Sequence, residues 1–284
     1  MATTFRFLII DAYPKPSREE FDLVGMKHAS RLYAEMLKKH LPEAQFSIWL
    51  ASDDPVPPEA LGPENYAGIL WPGCNLTIYH RDDLRVTRQI EFARKSYEVG
   101  TPCFGTCWGI QMAAAGAGGV VKANPRGREM GIARKIRLTA EGLGHPMFEG
   151  KPLVFNGFTS HLDEITHLPP GGVLLASNDF THVQAIEVKH GKGIFWGLAY
   201  HPEYDLHEMA RLITARAGKL LAEGFFQGRE NLVQYVEELE ALHQNPNRKD
   251  LRWQLDIDDD VLSDQLRQVE FRNWINKVVL PRNR

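Results

Sequence analysis

The strongest chemical signal in the chain is a cysteine between two glycines, in Phe104-Gly105-Thr106-Cys107-Trp108-Gly109-Ile110-Gln111. An apolar run precedes it and helix-forming residues follow. Cys107 therefore falls on a tight strand-to-helix turn, the setting of a nucleophile elbow. Such a turn strains its central residue and brings backbones together where a Cβ would clash, which is why it needs both glycines. The thiol would project at the carboxyl end of a sheet, where open α/β sheets bind ligands. The N-terminus of the following helix favours a thiolate there, and the Trp108 N–H is placed to stabilise an oxyanion.

A cysteine nucleophile needs a base, and the base needs a group that orients it. Tyr200-His201-Pro202-Glu203 offers both at the end of the apolar stretch Ile194 to Ala199. His201 is the expected base and later general acid, with Glu203 holding its tautomer and Pro202 restraining the turn. His161 is a rival base because Asp163 and Glu164 lie close by. Cys103 falls on the strand before the elbow and reads as core. Cys74 reads as packing beside a loop. A metal pair would want further ligands at ordered spacing, so no metal is expected. Asp256-Ile257-Asp258-Asp259-Asp260 opens like a calcium loop. Position six is Val261 instead of Gly and position twelve is Arg267 instead of Glu, so calcium is rejected. The acidic run is expected at the N-terminus of the last helix.

Taken together, Gly-Thr-Cys-Trp-Gly-Ile-Gln and a His-Pro-Glu about ninety residues later resemble the class I glutamine amidotransferase domain. Trp71-Pro72-Gly73-Cys74-Asn75 stands where that family has a Gly-rich oxyanion loop. Gly118-Gly119-Val120-Val121, Arg128-Glu129-Met130-Gly131 and Ser160-His161-Leu162-Asp163-Glu164 also look like family segments. The resemblance covers about residues 5–215. It implies a Cys107-His201-Glu203 triad, backbone N–H groups of Gly73 and Trp108 in the oxyanion hole, and Gln111, Ser160 and His161 beside the substrate. The reaction implied is attack on the side-chain amide of glutamine. Ammonia leaves, and water then hydrolyses a γ-glutamyl thioester to glutamate. No cofactor is implied. The chain departs from the family's Gly-Gly-Pro loop at Pro72-Gly73-Cys74-Asn75. No ATP-pyrophosphatase, synthase or P-loop segment follows residue 215, so an ammonia acceptor would be a separate synthetase subunit. The alternative is a stand-alone hydrolase of a γ-glutamyl amide or related small amide. A non-catalytic binding protein on this fold is a third reading, opposed by the intact Cys107, His201 and Glu203.

The elements that must position these residues follow from periodicity. Short apolar strands at Phe5 to Ile10, Gln45 to Leu50, Tyr66 to Trp71 and Cys103 to Gly105 alternate with helices at Ser17 to His40 and Asp82 to Val99. This rhythm predicts a mixed, mostly parallel open α/β sheet flanked by helices, with a flavodoxin-like core. Val120-Val121, Ile132 to Leu138, Leu153 to Phe155, Val173 to Ala176, Gln184 to Val188 and Ile194 to Ala199 read as further strands, several of them antiparallel additions at a sheet edge. A helix over Asp205 to Gly218 follows. The domains are read as a catalytic unit over 1–215 and a helical extension over 216–284. Two amphipathic helices are expected in the extension, Glu230 to His243 and Gln265 to Val278. Its aromatics Trp253, Phe271 and Trp274 are expected to pack on the main domain, and its apolar faces would also suit a homo-oligomer.

Composition narrows the partners. The chain of 284 residues holds 33 Lys plus Arg against 36 Asp plus Glu, a net charge of −3. Nucleic-acid binding usually leaves a basic excess, so a small molecule is the expected ligand. Three cysteines are too few for a disulfide scaffold and suit a reducing cytosol. The leading apolar run is too short for a signal peptide and no segment reads as a membrane span, so a cytoplasmic protein is expected.

Overall fold

A computed structural model describes residues 5–282. Eleven strands are formed among them: β1 (Arg6–Asp11), β2 (Gln45–Leu50), β3 (Gly68–Trp71), β4 (Cys103–Thr106), β5 (Val120–Ala123), β6 (Glu129–Leu138), β7 (Val154–His161), β8 (Asp163–His167), β9 (Gly172–Ser177), β10 (Ala185–His190) and β11 (Gly193–Leu198). Nine make one sheet in the order β2-β1-β3-β4-β11-β10-β9-β6-β7, and β5 pairs with β8 in a two-stranded sheet. The first five strands of that order run parallel. The inner ones are buried on both faces, as their unbroken apolar runs require: Phe7 to Ile10 and Ile69 to Trp71 are all fully enclosed, whereas the edge strand β2 is partly exposed. The next four are antiparallel extensions, as the sequence suggested. The expected α/β sheet with flanking helices is thus present.

One expected helix is two. Ser17 to His40 divides into α1 (Lys15–Val24) and α2 (Ala29–His40). Gly25 adopts φ +74° and its N–H bonds back to the Asp22 carbonyl, a left-handed cap that a residue with a Cβ would resist. The apolar period runs through the break, so periodicity alone could not show it. α3 (Leu84–Val99) is capped by the Asp83 side chain on the Arg85 N–H and stopped by Gly100 at φ +86°. α4 (Trp108–Gly116) is buried along its whole length, consistent with its Gly and Ala content.

The C-terminal segment is built into the fold. Its helix Arg229–Gln244 buries Leu232, Val236, Leu239 and Leu242 against Met209, Leu212 and Ile213 of the helix Leu206–Ala215. Gln265 to Val278 is not one helix but three short pieces, Asp264–Arg267, Val269–Trp274 and a π turn over Ile275–Val279, with a bend at Gln268. An unexpected helix, Lys249–Leu255, precedes them. Phe271 and Trp274 are fully buried and meet Phe104 of β4 at 5.2 and 5.8 Å between ring centres. Trp253 is the exception to the expected packing, being 81% exposed. The acidic run does not open the last helix either. Asp259 and Asp260 start the short helix Asp259–Leu262; Arg252 meets Asp258 and Asp259, and Asp260 accepts from Asn156.

Truncating Trp274 tests this arrangement. Its ring fills the space beside Gly68, where an added Cβ would come within 2.7 Å of it. Trp274→Ala is expected to cost about 3–5 kcal/mol, read as a lowered midpoint in denaturant unfolding. An unchanged midpoint would mean the segment contributes nothing to the core.

Candidate active site

β4 turns into α4 through Cys107, which sits at φ +52° and ψ −94°, a strained backbone for a non-glycine residue. The turn is forced by close approach. A Cβ on Gly105 would lie 2.7 Å from the Trp71 carbonyl oxygen, and one on Gly109 only 2.4 Å from it. The Cys107 N–H is tied to the Leu198 carbonyl of β11 at 2.8 Å. The Cys107 thiol is directed at the Ser160 carbonyl, 3.7 Å away. The other two thiols are occupied. Burial pushes the Cys103 thiol up to about 12. Cys74 donates to the Ala12 carbonyl at 3.0 Å and accepts from the Leu76 N–H, and burial also pushes its thiol up.

Register brings the second motif to the first. β11 lies beside β4 with Leu198 opposite Thr106, so the residues after each strand emerge together. His201 is buried, with its N–H on the Phe158 carbonyl at 2.8 Å. Its Nδ1 meets Glu203 Oε1 at 2.7 Å, which fixes one proton on Nδ1 and leaves Nε2 without a hydrogen-bond partner in the protein. Tyr204 stacks flat on the ring, with centres 4.3 Å apart. Burial opposes a charge on His201, but the Glu203 carboxylate and the Cys107 sulfur outweigh it and raise the imidazole to about 10. Glu203 Oε1 also accepts from Thr106 Oγ1 at 2.9 Å, and Thr106 accepts from the Tyr33 hydroxyl at 2.8 Å. Thr106, Tyr33 and Tyr204 were not singled out from the sequence. Only Thr106 carried a signal, its place inside the elbow motif.

Gly73 closes the site from the β3 side. A Cβ there would lie 2.9 Å from His201 Cε1 and 3.6 Å from Cys107 Cβ. Trp108 opens α4, where a helix leaves N–H groups without intrahelical partners, and its indole is held by Gln89 at 2.9 Å. The cavity over Cys107 holds about 120 Å³, and Gln111, Ser160 and His161 line it. Gln111 Oε1 is buried without a partner, a free acceptor. His161 is engaged elsewhere: Nε2 meets Glu129 Oε2 at 3.1 Å and Nδ1 meets the Asp163 carbonyl at 3.1 Å. Asn178 and Gln184 also donate to Glu129. Burial opposes its charge, yet these donors hold the carboxyl below its ordinary value. Both ring nitrogens of the rival base are therefore committed to a buried network. The sequence reading also passed over the cavity's Arg216, which flanks the short helix Ala217–Ala222, and Lys219 within that helix, neither part of a motif.

The profile of the family Glutamine amidotransferase class-I matches residues 33–217. A gamma-glutamyl-L-1-hydroxyisopropylamide hydrolase from Pseudomonas sp. is 33% identical over 97% of this chain and 94% of its own length. A glutamine-hydrolysing GMP synthase from Streptomyces avermitilis is 32% identical over 66% of this chain, and the match spans about a third of that protein's length (33%). Among solved structures, a glutamine amidotransferase from Thermotoga maritima aligns over 97% of this chain and 98% of its own, with a TM-score of 0.65 at 16% identity. One from Methylobacillus flagellatus aligns over 96% and 94%, with a TM-score of 0.63 at the same identity. No helix among the described residues is long and apolar enough to cross a membrane. The fold and the family profile agree with what the motifs implied: this chain belongs to the class I glutamine amidotransferase family and is an amide-cleaving enzyme of that family.

Proposed function

We propose that the chain hydrolyses a γ-glutamyl amide by itself, through a thioester on Cys107. The observation that carries this reading is the extent of the likeness to the Pseudomonas hydrolase. It runs through the C-terminal segment, whose Phe271 and Trp274 pack under the strands of the site. In this reading residues 1–215 form the catalytic domain and 216–284 a helical extension that completes it. His201 takes the thiol proton, and Cys107 attacks the γ-carbonyl. The N–H groups of Gly73 and Trp108 receive the developing oxyanion. Its raised basicity lets His201 keep the proton until the departing amine needs it. The imidazole then activates the water that frees glutamate. Glu203 holds the ring, and Gln111 with the segment Ser160-His161 borders the amino-acid end of the substrate. The free thiols suit a reducing compartment, and we place the enzyme in the cytoplasm.

The likeness of two thirds of the chain to the amidotransferase portion of a GMP synthase supports a second reading, a glutaminase that feeds ammonia to a separate synthetase. Rates on L-glutamine and on N-alkyl γ-glutamyl amides decide between them. A self-sufficient hydrolase is expected to prefer the substituted amide by roughly tenfold or more in kcat/KM. Preference for glutamine, rising when a synthetase is added, would overturn the first reading.

Gly73→Ala tests the oxyanion side. Its methyl would meet His201 Cε1 at 2.9 Å, so the ring or the loop must move. A fall of roughly 100-fold in kcat with an unchanged melting temperature is expected, because small misplacements at a reacting centre are that costly. Full activity would place the oxyanion elsewhere.

A further inference from the structure

The turn carrying His201 and Glu203 is gripped from behind. Tyr200 and Pro202 alternate with those two residues, and the C-terminal segment holds both. The Tyr200 hydroxyl donates to Glu270 Oε1 at 2.6 Å. Arg267 Nε donates to the Pro202 carbonyl at 3.3 Å. Each holder is itself fixed. Glu270 is fully buried and paired with Lys151 Nζ at 3.0 Å, and the same ammonium donates to the Leu266 carbonyl at 2.8 Å. Arg267 is buried too. It donates to the Val261 carbonyl at 2.6 Å and to Asp264, and it lies over the Phe158 ring. Phe158 is the residue whose carbonyl accepts the His201 N–H.

Covering this turn needed only apolar side chains, as Phe271 and Trp274 show one helical turn away. Three ionisable groups, Arg267, Glu270 and Lys151, are buried there instead. Charges taken out of water cost free energy unless they are paired in good geometry, and the return is fixed position more than stability. The two contacts also fall at positions 200 and 202, on either side of His201 in the chain. We propose that the C-terminal segment positions the proton-transfer couple, with Arg267 on Pro202 and Glu270 on Tyr200 setting where His201 and Glu203 stand against Cys107. The proposal rests on the roles given above to those three residues. Arg267 and Glu270 touch no substrate in it and are positioning residues.

The test uses the full chain and two readouts. The first is the pH dependence of Cys107 alkylation by iodoacetamide, located by peptide mass, which needs no knowledge of the substrate. The second is kcat and KM on an N-alkyl γ-glutamyl amide. Arg267→Lys keeps the charge and loses the guanidinium fork. Tyr200→Phe loses one hydroxyl. Lys277→Ala breaks an exposed ion pair of the same segment with Glu149 and serves as the control. A loosened imidazole holds the thiolate less well. The alkylation midpoint of Arg267→Lys should therefore move to higher pH and its kcat fall roughly tenfold, with KM within about twofold of wild type. Tyr200→Phe should move both the same way by less, and Lys277→Ala should move neither. If both variants fold and keep the wild-type alkylation profile, the segment only stabilises the fold and the proposal fails. Should Arg267→Lys not fold, Tyr200→Phe decides by the same criterion. Normal alkylation of wild type without turnover of any γ-glutamyl amide would defeat the functional reading alone, leaving the alkylation profiles to judge the positioning.

Discussion

Cys107→Ala is expected to lose amide hydrolysis by about four to six orders of magnitude while folding normally. The size follows from the proposed chemistry, in which the thiol forms and breaks the covalent bond and no neighbour can replace it. Cys103 is enclosed in the core and Cys74 is bonded to the Ala12 carbonyl. Folding should survive because alanine is smaller and meets the same backbone strain at φ +52° that cysteine already tolerates. The measurement is turnover beside a thermal melt. Retention of more than about a tenth of wild-type activity would rule out the covalent route. A diazo-oxo-norleucine adduct on Cys74 or Cys103 would reassign the nucleophile.

The second large effect is at the base. His201→Ala should cost roughly three or more orders of magnitude, and Glu203→Gln less, because the base moves the proton while its partner orients and stabilises it. The pH profile separates the roles further. The Glu203 carboxylate is the largest of the influences that raise His201 to about 10. Removing its charge must lower the imidazole toward its ordinary value. The alkaline limit of activity in Glu203→Gln should therefore move to lower pH, with protonated His201 lost earlier as pH rises. An unmoved limit would deny Glu203 its electrostatic part. An active His201→Ala beside a dead His161→Ala would transfer the role to His161.

Much of the candidate site was legible because each half is local. The elbow needs glycines on either side of Cys107, and the His-Pro-Glu turn carries an imidazole and a carboxyl group two residues apart. What joined them was the pairing of β11 with β4, a long-range register that neither segment states. The supporting shell was not legible for the same reason. Tyr33 reads as one apolar position of an amphipathic helix, and only the packed fold points its hydroxyl at Thr106. The break at Gly25 was hidden because the apolar period continues through it. The tail showed its amphipathic stripe but not its attachment. Lys151, Glu270 and Arg267 look like surface charges in sequence and are buried only because they face one another and the turn. Trp253 misled in the opposite sense: an aromatic in a helix suggested core, yet it faces solvent.

The central claim is the covalent intermediate on Cys107. Enzyme mixed with a γ-glutamyl amide and quenched in acid within a turnover should gain the mass of one glutamyl residue. Peptide mapping should place that mass on Cys107, and it should be absent from Cys107→Ala. Turnover of the wild-type enzyme with no added mass at any quench time, or a glutamyl adduct carried by another residue, would contradict the account.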